Sequence, residues 1–180
     1  ADESAGIWVL SPELTPGQSL ADALGIGDWI IDIDNKSLTH RPDLWGHRGI
    51  ARELSAIYRR PLRPFDAALP SLGSQPAVPV VVDDPACLRY LALPIDGVEA
   101  LASPLWLVLL LRAVGQRSLG QLVDISNFVM LDLGQPNHAF DRAELGGGGI
   151  RVRKAKAGER FTTLAGQALS LSGEDLLIAS

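Results

Sequence analysis

A proline-rich segment divides this chain and limits what it can fold into. Residues 60–79 contain five prolines, at positions 61, 64, 70, 76 and 79, together with Gly73 and two serines. Proline lacks a backbone donor and breaks helices and central strands, so no continuous element can run through this segment. The segment therefore predicts a linker, with a boundary near residue 70 and folded structure on each side.

A helix is predicted on the first side of this linker, over residues 43–59. Apolar residues recur there at helical spacing, from Ile50 to Tyr58, and Asp43 is a candidate N-cap. Gly46 and Gly49 lie in the first turns of this helix. Glycine costs roughly 0.5–1 kcal/mol relative to alanine inside a helix, so we expect close packing at these two positions.

Two further helices are predicted beyond the linker. Ser103 and Pro104 form a helix start signature, with the hydroxyl as the cap, for a helix that ends near Val114. Seven consecutive apolar residues, Leu105–Leu111, follow and predict that this helix is buried on all sides. A short helix is predicted over residues 127–133, ending at Gly134.

Strands are predicted on both sides of the linker, and an α+β fold follows. The segments are residues 7–10, 29–33, 78–82, 89–95, 150–154, 160–164 and 176–179, with Ala165-Gly166 as a hairpin turn. Little alternation of polarity in residues 78–82 predicts burial on both faces. We expect mixed helices and a mostly antiparallel sheet in two sub-domains.

Composition excludes several classes of function. The chain has 180 residues, a formal net charge of −5 and a single cysteine, Cys87. The charge argues against a dominant phosphate-binding surface, although Arg59, Arg60 and Arg63 form one local basic patch. One cysteine excludes an internal disulfide framework and a cysteine-rich zinc site. The longest apolar run, of seven residues, is far shorter than the roughly 20 of a membrane helix.

One polar stretch, residues 123–141, is the candidate functional site. His138 follows a Gly-Gln-Pro turn and can hold or donate a proton near neutral pH. Its alternative role is a hydrogen bond to the backbone that holds the loop together. Asn127 can present its amide to a substrate, or it can cap a helix. Asp124 and Asp141 can hold His138 in place, and Asp141 can equally cap a helix that begins at Arg142.

Known catalytic patterns are otherwise missing from the sequence. Four consecutive glycines, Gly146–Gly149, lack the spacing and the lysine of a phosphate-binding loop. His40 and His47 are seven residues apart, which is not an established metal-ligand spacing, and we predict no metal site. Lys36 and Arg41 near Asp34 and Asp43 predict loop ion pairs of small net energy.

Several stretches in colinear order resemble the β chain of bacterial phenylalanyl-tRNA synthetase. Residues 123–141 are similar to the family pattern Val-Asp-x-x-Asn-Tyr-Val-Met followed by Gly-Gln-Pro-x-His-Ala-Phe-Asp. Further similar segments are Asp34–Asp43, Gly49–Leu54, Ser103–Leu107, Ile150–Ala155 and Glu174–Ala179. The family's Arg-Pro-Ile-Asn-Asn is replaced here by Arg-Ser-Leu-Gly-Gln, at residues 117–121. The resemblance covers nearly the whole chain.

The resemblance implies a function in charging and proofreading tRNA. The family is a cytoplasmic α2β2 enzyme whose α chain charges phenylalanine tRNA, using ATP and magnesium. Its β chain hydrolyses tyrosine wrongly attached to that tRNA. Carried over by position, His138 and Asn127 would be catalytic, and Arg117, Gln121, Asp124 and Gln135 would bind substrate. No cofactor is expected in this chain itself, and no membrane is expected as a partner.

The resemblance also implies a division into domains. Residues 1–27 would be the exit from a preceding barrel, residues 28–66 a core strand–loop–helix element, and residues 67–76 the linker. Residues 77–180 would be the first part of the editing domain. The family supplies further pocket residues from sequence that follows, so we expect half a site that is inactive alone. A free-standing deacylase of mischarged tRNA and a non-catalytic tRNA-handling module are the alternatives.

Overall fold

The chain folds into helices and two small sheets. The computed structural model describes residues 10, 12–66, 68, 73, 77–146, 148–163 and 166–180. The α-helices are α1 (Leu20–Leu24), α2 (His47–Tyr58), α3 (Leu105–Ala113) and α4 (Gln121–Leu133). The strands are β1 (Val80–Val82), β2 (Ile150–Lys154), β3 (Arg160–Thr162), β4 (Ala168–Ser170) and β5 (Leu176–Ala179). Short 3-10 helices cover Lys36–Leu38, Pro42–Leu44 and Arg142–Leu145. The predicted α+β class is confirmed.

The chain divides into two compact units, each built from two separate stretches of sequence. The first unit comprises Ala1–Arg63 and Ala100–Asn137, and the second comprises Pro64–Glu99 and His138–Ser180. Residues 100–137 therefore pack with the N-terminal stretch, whereas the sequence analysis grouped them with residues 138–180. The domain boundaries inferred from the resemblance stay a prediction.

Close backbone contacts hold α2 in the first unit. A Cβ on Gly49 would overlap the carbonyl of Asp43, and one on Gly46 would overlap the backbone of Gly134, at the end of α4. Both contacts require glycine, which confirms the expected close packing. His47 adds a hydrogen bond across the same contact, between its Nδ1 and the carbonyl of Leu131, at 3.1 Å.

An ion-pair cluster fixes the loop before α2. The Arg41 guanidinium donates to both carboxylate oxygens of Asp43, at 2.9 and 2.8 Å, and to Glu53 at 3.1 Å. Arg52 adds a second cation on Asp43, at 2.6 Å. These bonds hold the pKa of Asp43 well below its usual range, chiefly through Arg41. The predicted pairing of Arg41 with Asp43 is confirmed. Asp43 does not cap α2, whose N-cap position is Gly46.

One side of α3 forms the apolar core of the first unit. Leu107 and Leu111, one turn apart, are each 1% exposed, whereas Trp106 on another side is 54% exposed. The expectation that this helix is buried all round is therefore wrong. The Trp106 ring also meets Phe128 of α4 edge-on, at 5.7 Å between centroids. Aromatic pairs favour this edge-to-face arrangement.

The second unit is organised by β2, which lies between β1 and β5. β1 pairs with it in parallel, with Val80 opposite Ile150, and β5 pairs antiparallel. Ile150 and Val152 of β2 are buried at 5% and 1% exposure. A separate antiparallel pair joins β3 and β4. Antiparallel pairing thus predominates, as predicted.

Several predicted strands differ from the structure. Among the described residues, 29–33 and 89–95 form no strand of either sheet, and Trp29 is 91% exposed. β1 covers only Val80–Val82, and its side chains are half-buried or exposed, so the predicted burial on both faces is wrong. Residues 7–9 of the first predicted strand, and residues 164 and 165 of the predicted hairpin, lie outside the described residues. Within those residues, no helix is both long and apolar enough to cross a membrane.

Candidate functional site

A buried carboxylate organises the start of α4. Asp124 is fully enclosed, at 0% exposure, in the first turn of the helix. Its Oδ2 accepts hydrogen bonds from the hydroxyls of Ser103 and Ser118, each at 2.5 Å. Its Oδ1 accepts from the backbone N–H of Leu119, at 2.9 Å. One side chain therefore joins the segment before α3, the loop between the helices and the start of α4.

Hydrogen bonding keeps this carboxylate ionised despite its burial. Burial alone would raise the pKa of Asp124, because removal from water disfavours the charged form. The bonds from Ser103, Ser118 and the backbone N–H groups of Leu119 and Gly120 outweigh burial and hold the pKa below its usual range. Among the described residues, the charge of Asp124 is therefore balanced by dipoles rather than by a cation.

The role of Ser103 differs from the prediction. Pro104 occupies the N-cap position of α3, and no side chain caps that helix. The Ser103 hydroxyl turns instead toward Asp124, 21 residues further along the chain. A bond to a buried ionised carboxylate is stronger than a neutral cap bond, which explains the preference.

Three predicted site residues lie along the loop and helix that Asp124 organises. Arg117 is exposed in the loop, and Gln121 is half-buried at the first position of α4. The N–H of Gln121 donates to the carbonyl of Leu101 at 3.3 Å. Asn127 is half-buried in the middle of α4, which excludes the alternative that it caps a helix.

The segment after α4 turns sharply and is fixed by two hydrogen bonds. Gly134 ends the helix with a φ of 71°, a left-handed conformation that glycine adopts without strain. The Ser126 hydroxyl donates to the carbonyl of Asn137 at 3.3 Å, and the Asn137 amide donates back to the carbonyl of Ser126 at 3.0 Å. Gln135, one residue after the glycine, is exposed. The turn that the sequence predicts before the histidine is therefore present.

His138 opens the second unit with an exposed ring. Its imidazole lies 6.1 Å from the ring of Phe140, centroid to centroid. Asp141 accepts a hydrogen bond from the N–H of Ala143 at 2.9 Å and caps the 3-10 helix Arg142–Leu145. Asp141 was predicted either to hold His138 in place or to cap a helix that begins at Arg142, and the structure shows the cap.

The structure places the predicted site residues in both units. Arg117, Gln121, Asp124, Asn127 and Gln135 belong to the first unit, and His138 belongs to the second. In the part of the chain that the structure describes, no three His, Cys, Asp or Glu side chains are grouped to hold a metal ion. The Ser103–Asp124–Ser118 cluster escaped the sequence analysis. Its only sequence signal is an aspartate near the start of a largely apolar helix.

Comparison with known families assigns this region. The model of the B3/4 domain matches residues 86–180, more than half of the chain. The chain belongs to the B3/4 domain family. The matched residues contain α3, α4 and strands β2 to β5, and with them every predicted site residue.

Similarity to proteins of known name covers almost the whole chain. A phenylalanine–tRNA ligase β subunit of Solibacter usitatus is 49% identical over 84% of the chain. Those of Geobacter metallireducens and Methylococcus capsulatus are 44% and 42% identical over 99% of it. The resemblance to this subunit is confirmed. The chain covers 20% of the Solibacter relative and 22% of the other two.

Proposed function

We propose that this chain contributes to the removal of tyrosine wrongly attached to phenylalanine tRNA. The observation that carries the proposal is the similarity of 99% of the chain to subunits named phenylalanine–tRNA ligase β. The B3/4 match over residues 86–180, which contains His138 and Asn127, supports placing the activity in this region. The exposed ring of His138 is available to a ligand, as such a role requires.

Hydrolysis of an aminoacyl ester requires the protein mainly to position the reacting groups. An aminoacyl ester is already activated, so hydrolysis needs an oriented water and a stabilised oxyanion rather than a protein nucleophile. In this proposal His138 holds the ester end of the tRNA or the attacking water, and Asn127 donates a hydrogen bond to the substrate. Arg117, Gln121 and Gln135 would contact the substrate. Tyrosine is selected when a buried polar group pairs with the phenol hydroxyl and is left unpaired by phenylalanine.

Asp124 has a different place in this proposal. Its carboxylate is enclosed and accepts bonds from Ser103, Ser118 and Leu119. We propose that it acts by holding the loop that carries Arg117 and the start of α4, without touching the substrate itself.

Partners and location follow from the same proposal. The chain would act beside an α chain in an α2β2 enzyme of the cytoplasm. ATP and magnesium would serve the α chain, so in this proposal they use no residue of this chain. The region would be inactive without the rest of the β subunit.

Replacement of His138 in a complete phenylalanine–tRNA ligase tests the proposal. We expect His138→Ala to slow deacylation of tyrosyl-tRNA at least tenfold and to leave phenylalanine charging unchanged, because a positioned acid–base group contributes roughly 100- to 10,000-fold. His40→Ala, in an exposed turn with no assigned role, is the matched control. Equal loss of both activities in the His138 variant would contradict the assignment.

The isolated chain provides the second arm of the test. Incubation of the 180-residue chain with tyrosyl-tRNA of phenylalanine specificity is expected to give no hydrolysis above background. Hydrolysis that disappears in the His138→Ala chain would instead establish the free-standing deacylase. Such a result would overturn the expectation of an inactive half-site.

A further inference from the structure

Two reciprocal hydrogen bonds join the residues that come directly before Asn127 and His138. Ser126 precedes Asn127 in α4, and Asn137 precedes His138 in the segment that follows this helix. The Ser126 hydroxyl donates to the Asn137 carbonyl at 3.3 Å, and the Asn137 amide donates to the Ser126 carbonyl at 3.0 Å. We call these two residues the Ser126–Asn137 pair. Both belong to the first unit, and neither is among the predicted site residues.

The pair acts on the peptide groups of the two residues that follow it. The carbonyl of Asn137 lies in the same peptide group as the N–H of His138, and a peptide group is planar. The bond from the Ser126 hydroxyl therefore restrains the backbone of His138 directly. The carbonyl of Ser126 is likewise part of the peptide group of Asn127, which the helix α4 holds in place. The pair thus ties the backbone entering His138 to the helical turn that carries Asn127.

Little else fixes the segment that leads to His138. Among the described residues, 135–140 form no hydrogen bond other than those of the Ser126–Asn137 pair. Pro136 cannot contribute a backbone donor, because it has no N–H. Asn137 and His138 are both exposed, so burial does not hold them either. Loss of the pair should therefore release the backbone of His138.

We propose that Asn137 is a positioning residue that acts through His138, with Ser126 as its partner. This inference rests on the proposed function, in which His138 holds the ester end of the tRNA or the attacking water. A displacement of about 1 Å in a reacting group can slow a reaction roughly 100-fold. The pair holds the backbone of His138 in one arrangement before the substrate binds, so the reaction does not have to order it.

The chemistry of the pair requires an amide at position 137. The carbonyl of Ser126 can only accept a hydrogen bond, so its partner has to donate one. Alanine donates none from its side chain. Aspartate has nearly the shape of asparagine, but its ionised carboxylate only accepts and would lie against the carbonyl oxygen of Ser126. Asn137→Ala and Asn137→Asp therefore both remove the bond, and Asn137→Asp also adds repulsion.

Steady-state deacylation of tyrosyl-tRNA by a complete phenylalanine–tRNA ligase tests the role of Asn137. A typical net hydrogen bond corresponds to about a fivefold change in population, so kcat of Asn137→Ala should fall at least about fivefold. KM should stay within about twofold, since the groups that touch the substrate remain. Asn137→Asp should lose at least as much, and phenylalanine charging should be unchanged. Added to His138→Ala, Asn137→Ala should slow deacylation by less than about twofold further, because a residue that acts through His138 has no effect without it.

Ser126 provides the rescue and Asn35 the control. The bond from the Ser126 hydroxyl, at 3.3 Å, is longer than the bond from the Asn137 amide, so Ser126→Ala should lower kcat less than Asn137→Ala does. Ser126→Thr keeps the hydroxyl and should retain the wild-type kcat. Asn35→Ala removes another exposed side-chain hydrogen bond of the first unit, from the N–H of Ser37 at 3.0 Å. It should leave deacylation unchanged.

Nuclear magnetic resonance relaxation of the 180-residue chain tests the pair without any tRNA. The order parameter of the His138 amide should fall from about 0.85, the value of rigid backbone, to below about 0.6 in Asn137→Ala. It should stay at the wild-type value in Asn35→Ala. A pair that only stabilised the end of α4 would lower the melting temperature and leave kcat unchanged.

The outcomes separate this proposal from the one on which it rests. If His138→Ala deacylates at the wild-type rate, the proposed function fails, and the positioning role of Asn137 fails with it. If His138→Ala is slow but Asn137→Ala keeps the wild-type kcat, the positioning role alone is overturned. An unchanged order parameter in Asn137→Ala overturns it as well, as does an undiminished loss of kcat when Asn137→Ala is added to His138→Ala.

Discussion

Replacement of Asp124 by asparagine should destabilise the first unit measurably. The carboxylate accepts three hydrogen bonds, at 2.5, 2.5 and 2.9 Å, while fully enclosed. A bond to an ionised group contributes about 1.5–3 kcal/mol and a neutral one about 0.5–1.5 kcal/mol, so the loss is about 1 kcal/mol per bond. Asparagine recovers part of this loss, because it avoids burying a charge. We therefore expect the free energy of unfolding to fall by about 2 kcal/mol at pH 7.

The pH dependence of this loss follows from the lowered pKa of Asp124. A carboxyl with a depressed pKa in the folded state stabilises the protein above its unfolded pKa, and this stabilisation is lost as pH falls through the folded pKa. The difference in the free energy of unfolding between the wild type and Asp124→Asn should therefore shrink as the pH falls below the usual pKa range of carboxyl groups.

Urea unfolding followed by circular dichroism, at pH 7 and at several acid pH values, measures both effects. Hydrogen exchange at the Leu119 amide measures the local loss of stability, since this N–H donates directly to Asp124. The matched control is Asp132→Asn, a half-buried aspartate of the same helix, which should change stability by less than about 0.5 kcal/mol. A difference below about 0.5 kcal/mol for Asp124→Asn would refute the reasoning, as would a gap that persists unchanged in acid.

Three further substitutions test the packing and the ion pairs. Gly49→Ala should lower stability by about 2 kcal/mol or more in urea unfolding, because its Cβ would overlap the preceding 3-10 helix, whereas Gly27→Ala, with nothing within 4 Å, should be nearly neutral. Leu107→Ala should cost about 2–5 kcal/mol, since the side chain is 1% exposed; a loss below about 1 kcal/mol would contradict its place in the core. Arg153 holds the pKa of Glu159 at about 2, below the usual 4.5, so this pair stabilises the fold above pH 4.5 and is lost toward pH 2. Glu159→Gln should flatten the acid dependence of the melting temperature in that window, and an unchanged profile would count against the pair.

Sequence patterns predicted the elements whose signals are local. β2 and β5 have the predicted bounds, and α2 lies within the predicted range of residues 43–59. The alternation of apolar residues predicted a strand over residues 29–33, but the structure contains none there. A strand also needs a pairing partner, which the local pattern does not reveal. β4 was not predicted, because its sequence, Ala-Leu-Ser, has little intrinsic strand preference. It becomes a strand by pairing with β3, where Leu169 lies opposite Phe161.

The residues of the candidate site could be predicted from the sequence, but the hydrogen bonds that hold them in place could not. The turn at Gly134 and the polar character of His138 and Asn127 can be read from sequence. The enclosure of Asp124 depends on serines 21 and 6 residues away, and no local pattern encodes such a distance. The same cluster explains why α4 begins six residues before the predicted start. A carboxylate that binds the preceding loop establishes the first turn there.

The parallel pairing of β1 with β2 has a consequence for synthesis of the chain. Val80 and its partner Ile150 are 70 residues apart, so three consecutive valines leave the ribosome long before their neighbour exists. At about 5–20 residues per second, this interval lasts roughly 4–14 s. During it, the apolar strand is available to other nascent chains, since an unpaired edge accepts any strand of suitable sequence. The need of this region for chaperones should therefore depend on how long β1 stays unpaired during translation, and not on the stability of the folded chain.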